Sequence, residues 1–339
     1  MRIRKLWSAA WVLLFLSPIV GELLSGSAPP AEFFNPLGFV MLTVLYGGGA
    51  ILARELTHRW GKGWPTLLIL GAAYGIAEEG LMCKSFFDPN WVDLGVLGSY
   101  GRWLGVNWVW SLELTIYHTV FSICIPILLV NIMFPSWHTR AWISRRKLVG
   151  LFILWVFNAV VIFLAITAYR PPIAQYIGTL ALTIGLVILA WRLPYKMFES
   201  KASQKSVSHP IWFLITGFLA SVLFFLGVWL LPGTGIHPVL TMFFIIAVAA
   251  LAGWLVLKMS GGGLAWSNKH QLALASGVLG FFIIIAPLQE LDKNRSDNTT
   301  GMTIVGFAMA IFLLWMFWRM RHNGKNETTA DFSSPVTGE

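Results

Sequence analysis

Charged residues are scarce in this chain. Only 12% of its 339 residues are Asp, Glu, Lys or Arg, whereas about 25% is usual for a soluble domain. Hydrophobic residues make up 57% of the chain. They fall in long continuous runs and do not show the period-two alternation of membrane-spanning strands. The shortage of charge therefore excludes an ordinary soluble domain and favours a protein that crosses a membrane with helices.

Cysteine and the common cofactor motifs are equally scarce. Cys83 and Cys124 are the two cysteines of the chain, and they lie in separate apolar segments. No disulfide or cysteine-based metal framework is therefore expected. The absence of Walker, haem and zinc-finger motifs argues against an ATP-driven pump or a redox protein. No motif names a cofactor, and the identity of any bound metal stays open.

Apolar residues fall in ten runs, most of them about 17–25 residues long. An α-helix of that length spans the hydrocarbon core of a bilayer, which is about 30 Å thick. We therefore predict an all-α, polytopic membrane bundle of about ten transmembrane helices. The runs lie at residues 7–24, 37–53, 65–82, 107–134, 148–168, 173–193, 211–231, 237–257, 272–288 and 302–320.

The distribution of basic residues supports this number of helices. With a cytoplasmic N-terminus, 19 of the 24 Lys and Arg residues lie in inner segments and 5 in outer segments. This is the bias that the positive-inside rule requires. We predict that both termini are cytoplasmic, in a prokaryotic plasma membrane, and that loops 25–36, 83–106 and 289–301 lie outside. The rule also accounts for the net charge of +9, so the expected partner is the lipid bilayer and not a nucleic acid.

Acidic residues are missing from the apolar cores of the last six runs. The embedded acids are all in the first four runs. This asymmetry predicts a functional first part and a scaffolding second part. The predicted divisions are a four-helix module at 1–134, a basic cytoplasmic loop at 135–147, a six-helix scaffold at 148–320 and a disordered cytoplasmic tail at 321–339.

Helix geometry predicts that the embedded polar residues share one depth. Glu78 lies about 20 Å along an outward helix, and Glu113 and His118 lie about 9 and 16 Å along the next, inward helix. Charged side chains in a bilayer are costly and usually mark a site. We therefore predict that Glu78 or Glu79 faces Glu113 or His118 in an outward-facing acidic pocket between the first, third and fourth helices. The candidate ligand-binding residues of this pocket are Glu22, Glu113 and Tyr117.

The outer loop at 83–106 is rich in tryptophan and glycine. Asp88-Pro89-Asn90 is a turn signal, and the tryptophans suit the headgroup region of a membrane. Two interpretations stay open. The loop is either an aromatic belt at the membrane surface or a lid over the pocket, with Asp88, Asp93 and Arg102 contacting a ligand.

Glu78-Glu79, followed by His118 on the next helix, resembles part of the CPBP intramembrane proteases. That family includes CAAX prenyl-protein proteases and bacteriocin-immunity proteins, and it carries Glu-Glu-x-x-x-Arg on one helix and histidines on later helices. The resemblance covers two helices. Cys83 stands in the arginine position, with Lys84 one residue later, and a second membrane histidine is missing unless His237 serves. The resemblance implies that Glu78 activates a water molecule, while Glu79 and His118 orient the substrate or bind a metal.

Three classes of function stay open. Embedded carboxylates and an outward-facing pocket suit proton- or cation-coupled transport, or binding of a small-molecule, cation or lipid ligand. The second class is a CPBP-like intramembrane protease with Glu78, Glu79 and His118 as its catalytic residues. The third is a non-catalytic membrane subunit or lipid-binding protein whose tryptophan-rich loop faces the headgroups.

Overall fold

Long helices make up almost all of the regular structure. The computed structural model describes residues 2–137, 140–194, 207–261 and 266–330. Its one sheet within these residues is a two-stranded hairpin, so the prediction of an all-α polytopic bundle is confirmed. The long helices are α1 (residues 2–23), α2 (Pro36–Arg59), α3 (residues 64–82), α4 (Trp108–Met133), α5 (Arg145–Ala165), α6 (Ile173–Arg192), α7 (Pro210–Leu230), α8 (Pro238–Met259), α9 (Asn268–Leu291) and α10 (Met302–Ala330).

Each of the ten apolar runs lies on one of these helices. By length and composition, eight helices among the described residues can cross a membrane. Helix α1 contributes a shorter apolar stretch, Ala9–Leu23. Helix α3 is helical over its whole run, but its adjacent Glu78 and Glu79 lower its mean hydropathy.

Local sequence signals explain where several helices begin. Asn35 accepts hydrogen bonds from the first-turn amides of α2, Asn107 does so for α4 and Ser144 for α5. These side chains satisfy amides that have no partner inside the helix. Proline in the first turn, where a missing N–H does no harm, is found at Pro36, Pro65, Pro210 and Pro238.

Helix α10 extends further than the sequence predicts. Residues 321–339 are predicted to be a disordered tail, yet the helix continues to Ala330. Residues 331–339 lie outside the described part of the chain. Once a helix is nucleated, each further residue adds a backbone hydrogen bond, so a polar extension of a long helix needs no apolar face of its own.

Helices α7 and α9 cross at small residues and then pack on α4. A Cβ atom on Gly277 would lie 2.1 Å from the carbonyl oxygen of Leu214 on α7, so the two backbones approach closely. Further along both helices, toward their C-terminal ends, Phe225 stacks on Phe281 at 4.6 Å between ring centroids. The neighbouring Phe282 contacts Phe121 of α4 at 5.0 Å. These aromatic contacts join the second half of the chain to the helix that carries His118.

The outer loop at 83–106 has a defined conformation. Strand β1 (Arg102–Trp103) pairs with β2 (Val106–Asn107). Leu104 and Gly105, which connect them, both have positive φ angles, as a tight two-residue hairpin requires. The side chain of Asn107 is fully buried and donates to the carbonyl of Leu97 at 2.6 Å. The loop is therefore folded onto the helix ends where α3 ends and α4 begins.

Candidate functional site between helices α1, α2, α3 and α4

The first four helices each contain a short π-helical segment. Such segments are rare, under about 1% of residues in globular proteins, and they are frequent at functional sites because an extra residue in a turn redirects side chains. Each segment here carries a polar residue of the same buried region. The segments are Ile19–Leu23 in α1, Thr43–Gly47 in α2, Ala77–Met82 in α3 and His118–Cys124 in α4.

The centre of this region is a cluster of Glu78, Glu79 and His118, which we call the Glu–Glu–His cluster. His118 Nε2 lies 3.0 Å from Glu79 Oε1, and His118 Nδ1 lies 3.2 Å from Glu78 Oε2. The exposed fractions of the three residues are 1%, 8% and 2%. The prediction that a glutamate of α3 faces His118 across the helix interface is confirmed. The α3 and α4 side chains thus meet away from lipid.

Two serines fix the orientation of the cluster. Ser85 donates a hydrogen bond to Glu79 Oε2 and accepts one from Trp110 Nε1 at 3.1 Å. On the other side, Ser122 Oγ lies 3.0 Å from His118 Nδ1. A neutral imidazole satisfies both of its contacts when Nε2–H donates to Glu79 and Nδ1 accepts from the Ser122 hydroxyl. The serines therefore hold the orientation of Glu79 and His118, and the Glu79 carboxylate favours the tautomer with the proton on Nε2.

A third carboxylate lies beside the cluster. Glu22 of α1 accepts a hydrogen bond from the hydroxyl of Tyr46 of α2. The Tyr46 ring is 1% exposed and lies 5.8 Å from the His118 ring between centroids. In the described part of the chain, His118 is the basic side chain that forms ion pairs with Glu78 and Glu79. Three carboxylates around one imidazole need protons or a cation to offset their charge in a low-dielectric setting.

Aromatic rings enclose the imidazole. The ring centroids of Tyr46, Tyr74 and Tyr117 lie 5.8, 6.1 and 5.2 Å from that of His118. Helix α3 approaches closely because residue 75 is glycine, where a Cβ atom would lie 3.0 Å from His118 Cβ. The rings and the close backbone approach keep lipid and bulk water away from the cluster, which strengthens the electrostatic interactions inside it.

The spacing of the donor atoms fits a metal ion. One ligand atom each from Glu78, Glu79 and His118 can be chosen so that all three lie within 4.8 Å of one another. Metal–ligand bonds to carboxylate oxygen and imidazole nitrogen are about 2.0–2.2 Å long, so these atoms can surround one ion. Mixed oxygen and nitrogen donors suit first-row divalent cations such as Mn²⁺, Fe²⁺ and Zn²⁺. Three protein ligands would leave a position for water or substrate.

Two further candidates from the sequence lie near the cluster in different roles. Glu113 is 5% exposed, and among the described residues its Oε2 atom has no hydrogen-bond partner. Tyr117 donates through its hydroxyl to the carbonyl of Gly21 at 2.6 Å. Tyr117 therefore connects α4 to the π segment of α1, while Glu113 presents a buried, unpaired acceptor on the same helix.

Asp88 and Arg102 are engaged within the outer loop and its neighbours. Asp88 accepts hydrogen bonds from the Asn90 amide at 2.9 Å and from Thr167 Oγ1 at 3.0 Å. Arg102 donates to the carbonyl of Phe87 at 2.8 Å. Both side chains stabilise the folded loop and take no part in the Glu–Glu–His cluster.

Lys84 and His237 also lie away from the cluster. Lys84, next to the arginine position of the CPBP pattern, is fully buried and donates to the carbonyls of Phe163 and Thr167 at 2.6 and 2.9 Å. It therefore caps the C-terminal end of α5, where a positive charge is favourable. His237 caps the first turn of α8 by accepting from the Val239 amide. Neither residue completes the protease pattern.

Sequence reasoning missed Tyr46 and Ser85 as members of the site. A signal for Tyr46 was available. Residue 46 is about 14 Å along an inward helix that begins near residue 37, which is the depth of the other polar groups. Ser85 gave no such signal, because it lies just beyond α3 and reaches Glu79 only after the chain turns at Lys84, where φ is +66°.

Comparisons with known proteins agree with the membrane architecture. A protein from Archaeoglobus fulgidus described as "Uncharacterized protein" is 27% identical over 131 residues, which are 38% of this chain and 40% of the relative. No solved structure matches significantly. These matches do not extend the resemblance to the CPBP proteases. The model of the "Uncharacterized membrane protein family" matches residues 11–260, and the chain therefore belongs to this family of membrane proteins.

Proposed function

We propose that the protein binds a divalent first-row metal cation in the Glu–Glu–His cluster and couples that binding to release of protons. The observation that carries the proposal is the placement of three buried donor atoms, one each from Glu78, Glu79 and His118, within 4.8 Å of one another. A carrier or receptor for cations in the outer half of the membrane is the function that this site supports best.

The charge balance of the site supports the proposal. Glu22, Glu78 and Glu79 lie around the single imidazole of His118. Buried ionised groups are retained only when they are paired or coordinate a metal. A divalent cation would offset two carboxylate charges at once, whereas protons would do so when no cation is bound. The two states of the site therefore differ by an exchange of protons for metal.

The hydrogen bonds of His118 support proton release. In the tautomer whose Nε2–H donates to Glu79, a metal can bind that nitrogen only after its proton leaves or moves to another atom. Ser122 stays in contact with Nδ1 and can accept a hydrogen bond from Nδ1–H once the proton has moved there. Hydrogen bonds of this kind orient metal-binding histidines and raise their basicity.

Metal binding by purified protein in lipid nanodiscs tests the proposal. Titration calorimetry with Zn²⁺ and Mn²⁺ in two buffers of different ionisation enthalpy would give the stoichiometry and the number of protons released. We expect one ion per chain with release of at least one proton. Glu79→Gln and His118→Gln should abolish this binding, because Gln keeps the size of the side chain but cannot supply the same ligand.

Matched substitutions elsewhere serve as controls. Glu32→Gln removes an exposed carboxylate and His58→Gln removes a histidine at the other end of α2, and both variants should bind metal as the wild type does. Unchanged binding in Glu79→Gln and His118→Gln would contradict the proposal. For the carrier interpretation, cation uptake into proteoliposomes should depend on external pH in the wild type and lose that dependence in Glu79→Gln.

Intramembrane hydrolysis is the second candidate, and one observation favours it. Glu78 Oε2 is buried 3.2 Å from His118 Nδ1 and makes no well-directed hydrogen bond among the described residues, so it can accept a proton from a water molecule. Incubation with single-span peptides in nanodiscs tests this function. Cleavage that disappears in both Glu78→Gln and His118→Ala would favour the hydrolase over the carrier.

A further inference from the structure

A second candidate binding site lies at the C-terminal end of α2, beyond the π segment that carries Tyr46. It is an open groove of about 450 Å³ between the last turn of α2 and the first turns of α5. We call it the α2–α5 groove. It lies at the membrane–water boundary, because both helices enter the apolar layer directly beside it. Its lining residues are Leu56, Arg59, Trp60, Arg145, Leu148 and Val149.

The polar end of the groove carries surplus positive charge. Arg59 is held in place by Glu55 Oε2 at 3.2 Å and by the carbonyl of Ile143 at 2.5 Å, and its side chain remains 27% exposed. Glu55, which is fully buried, also pairs with Arg54 at 2.5 Å. The single acid is therefore already balanced, and the exposed Arg145 adds a further charge.

The start of α5 adds hydrogen-bond donors to the same place. Ser144 caps the helix by accepting from the Lys147 amide, and the Leu148 amide donates to the Ser144 carbonyl. These bonds leave the amides of Arg145 and Arg146 without a partner inside the helix. The N-terminus of a 21-residue helix together with two guanidinium groups forms a site that favours phosphate oxygens.

The other end of the groove is apolar and continues toward lipid. Leu56, Leu148 and Val149 are the aliphatic residues of its lining. Val149, Phe152 and Ile153 of α5 are 52%, 53% and 62% exposed, so an apolar track leads from the groove along the outside of α5. A free phosphate ion would leave this track unused, whereas a lipid would use both ends.

We propose that the α2–α5 groove binds an anionic phospholipid. The headgroup phosphate contacts Arg59, Arg145 and the first-turn amides of α5, Trp60 packs beside the glycerol region, and one acyl chain follows Val149 and Phe152. Basic pockets between transmembrane helices are suited to such headgroups. Bound in this way, the lipid connects α2 to α5, and α2 carries Tyr46 of the candidate functional site in its own π segment.

Lipid binding by the full chain in detergent micelles tests the inference. Native mass spectrometry would measure the dissociation constants for dioleoyl phosphatidylglycerol and dioleoyl phosphatidylcholine. We expect phosphatidylglycerol to bind more tightly, and Arg145→Gln to weaken its binding about tenfold, as loss of one charge-assisted contact implies. Arg146→Gln removes the same charge from the same turn but from a residue that does not line the groove, and it should change binding less than twofold.

Three results would overturn the inference. If Arg145→Gln and Arg146→Gln weaken phosphatidylglycerol binding equally, the lipid is attracted by the positive charge of this turn in general and does not bind in the groove. Equal binding of the two lipids in the wild type would show that the headgroup is not recognised. Competition by inorganic phosphate or glycerol 3-phosphate at the lipid's own concentration would identify a free phosphate site, because the acyl chain would then contribute nothing.

Discussion

Two buried acidic sites lie beside α2, one at its last turns and the other beside Tyr46 near its middle, and they are built differently. Glu55 contacts Arg54 at 2.5 Å, Arg59 at 3.2 Å and the Trp142 amide at 2.8 Å, and the Arg54 guanidinium lies 3.9 Å above the Trp142 ring. Each charge of this group has an opposite charge or a donor beside it. The Glu–Glu–His cluster, in contrast, combines two carboxylates with one imidazole and has Glu22 beside it.

The difference separates a structural ion pair from a candidate binding site. The Glu55 group holds Trp142 and Ile143 against the end of α2, and its charges are satisfied by the protein alone. The Glu–Glu–His cluster leaves Glu78 Oε2 without a well-directed hydrogen bond in the described part of the chain. Groups that the protein does not satisfy are the ones that a ligand, a proton or a metal can satisfy.

The largest expected effect is the loss of stability when Glu55 is replaced. Glu55→Ala removes the carboxylate shared by Arg54 and Arg59, both of which must then stay in a buried or partly buried setting. Breaking a buried pair costs about 3–5 kcal/mol, and we expect that loss in the free energy of unfolding. Unfolding in mixed micelles of increasing SDS fraction would measure it, with Glu32→Ala as the exposed control. A loss below about 1 kcal/mol would remove the distinction between the two sites.

Glu79→Gln should have the opposite effect, with little loss of stability and a large loss of metal affinity. Its folded state should keep its stability to within about 1 kcal/mol, because Gln can still hydrogen-bond to Ser85 and His118. Metal affinity should fall more than about 100-fold, because mutation of a residue that only hydrogen-bonds to a metal ligand already lowers the affinity by about 10–100-fold. The same unfolding assay and metal titration would measure both quantities. If Glu79→Gln lowers the free energy of unfolding strongly but leaves the metal affinity of the folded protein unchanged, Glu79 is a structural acid like Glu55.

Gly47 and Gly48 of α2 differ in how closely other helices approach them, and we expect this difference to decide the effect of replacing each by alanine. A Cβ atom at Gly47, in the π segment of α2, would lie 2.0 Å from the carbonyl oxygen of Leu14. Gly47→Ala should therefore destabilise the protein by about 1–3 kcal/mol, the usual penalty of overpacking. At the neighbouring Gly48 the nearest atom, Trp155 Cδ1, lies 3.4 Å away, and Gly48→Ala should be tolerated. Thermal unfolding of the two variants side by side would test the contrast, which equal midpoints would refute.

The smallest expected effect concerns the residue that orients His118. Ser122→Ala removes the contact to Nδ1 and should weaken metal binding about tenfold, at the low end of the range for such partners. Ser111→Ala is the matched control on the same helix, because Ser111 donates to the carbonyl of Asn107 and, among the described residues, makes no hydrogen bond with the Glu–Glu–His cluster. Equal affinity in both variants would mean that Ser122 does not position the imidazole.

Sequence patterns predicted the helices well and the site in part. The run at 65–82 and the depth of Glu78 followed from length and hydropathy, and the contact of the α3 glutamates with His118 followed from equal depth. The positions of Lys84 and Ser85 did not follow. Both depend on how the chain turns after α3, and a basic residue beside Glu78-Glu79 looks the same in sequence whether it faces the acids or the end of α5.

The sequence by itself determined that this protein is a helical membrane protein with buried acids in its first four helices. The physical reason is that a bilayer offers no hydrogen bonds to the backbone, so each apolar run must satisfy its own backbone as a helix. Only the tertiary structure decided which polar side chains meet. The Tyr46–Glu22 contact, the Glu79–His118 contact and the turn that brings Ser85 to Glu79 depend on how consecutive helices pack and on the chain between them, and the hydropathy of a run does not encode those contacts.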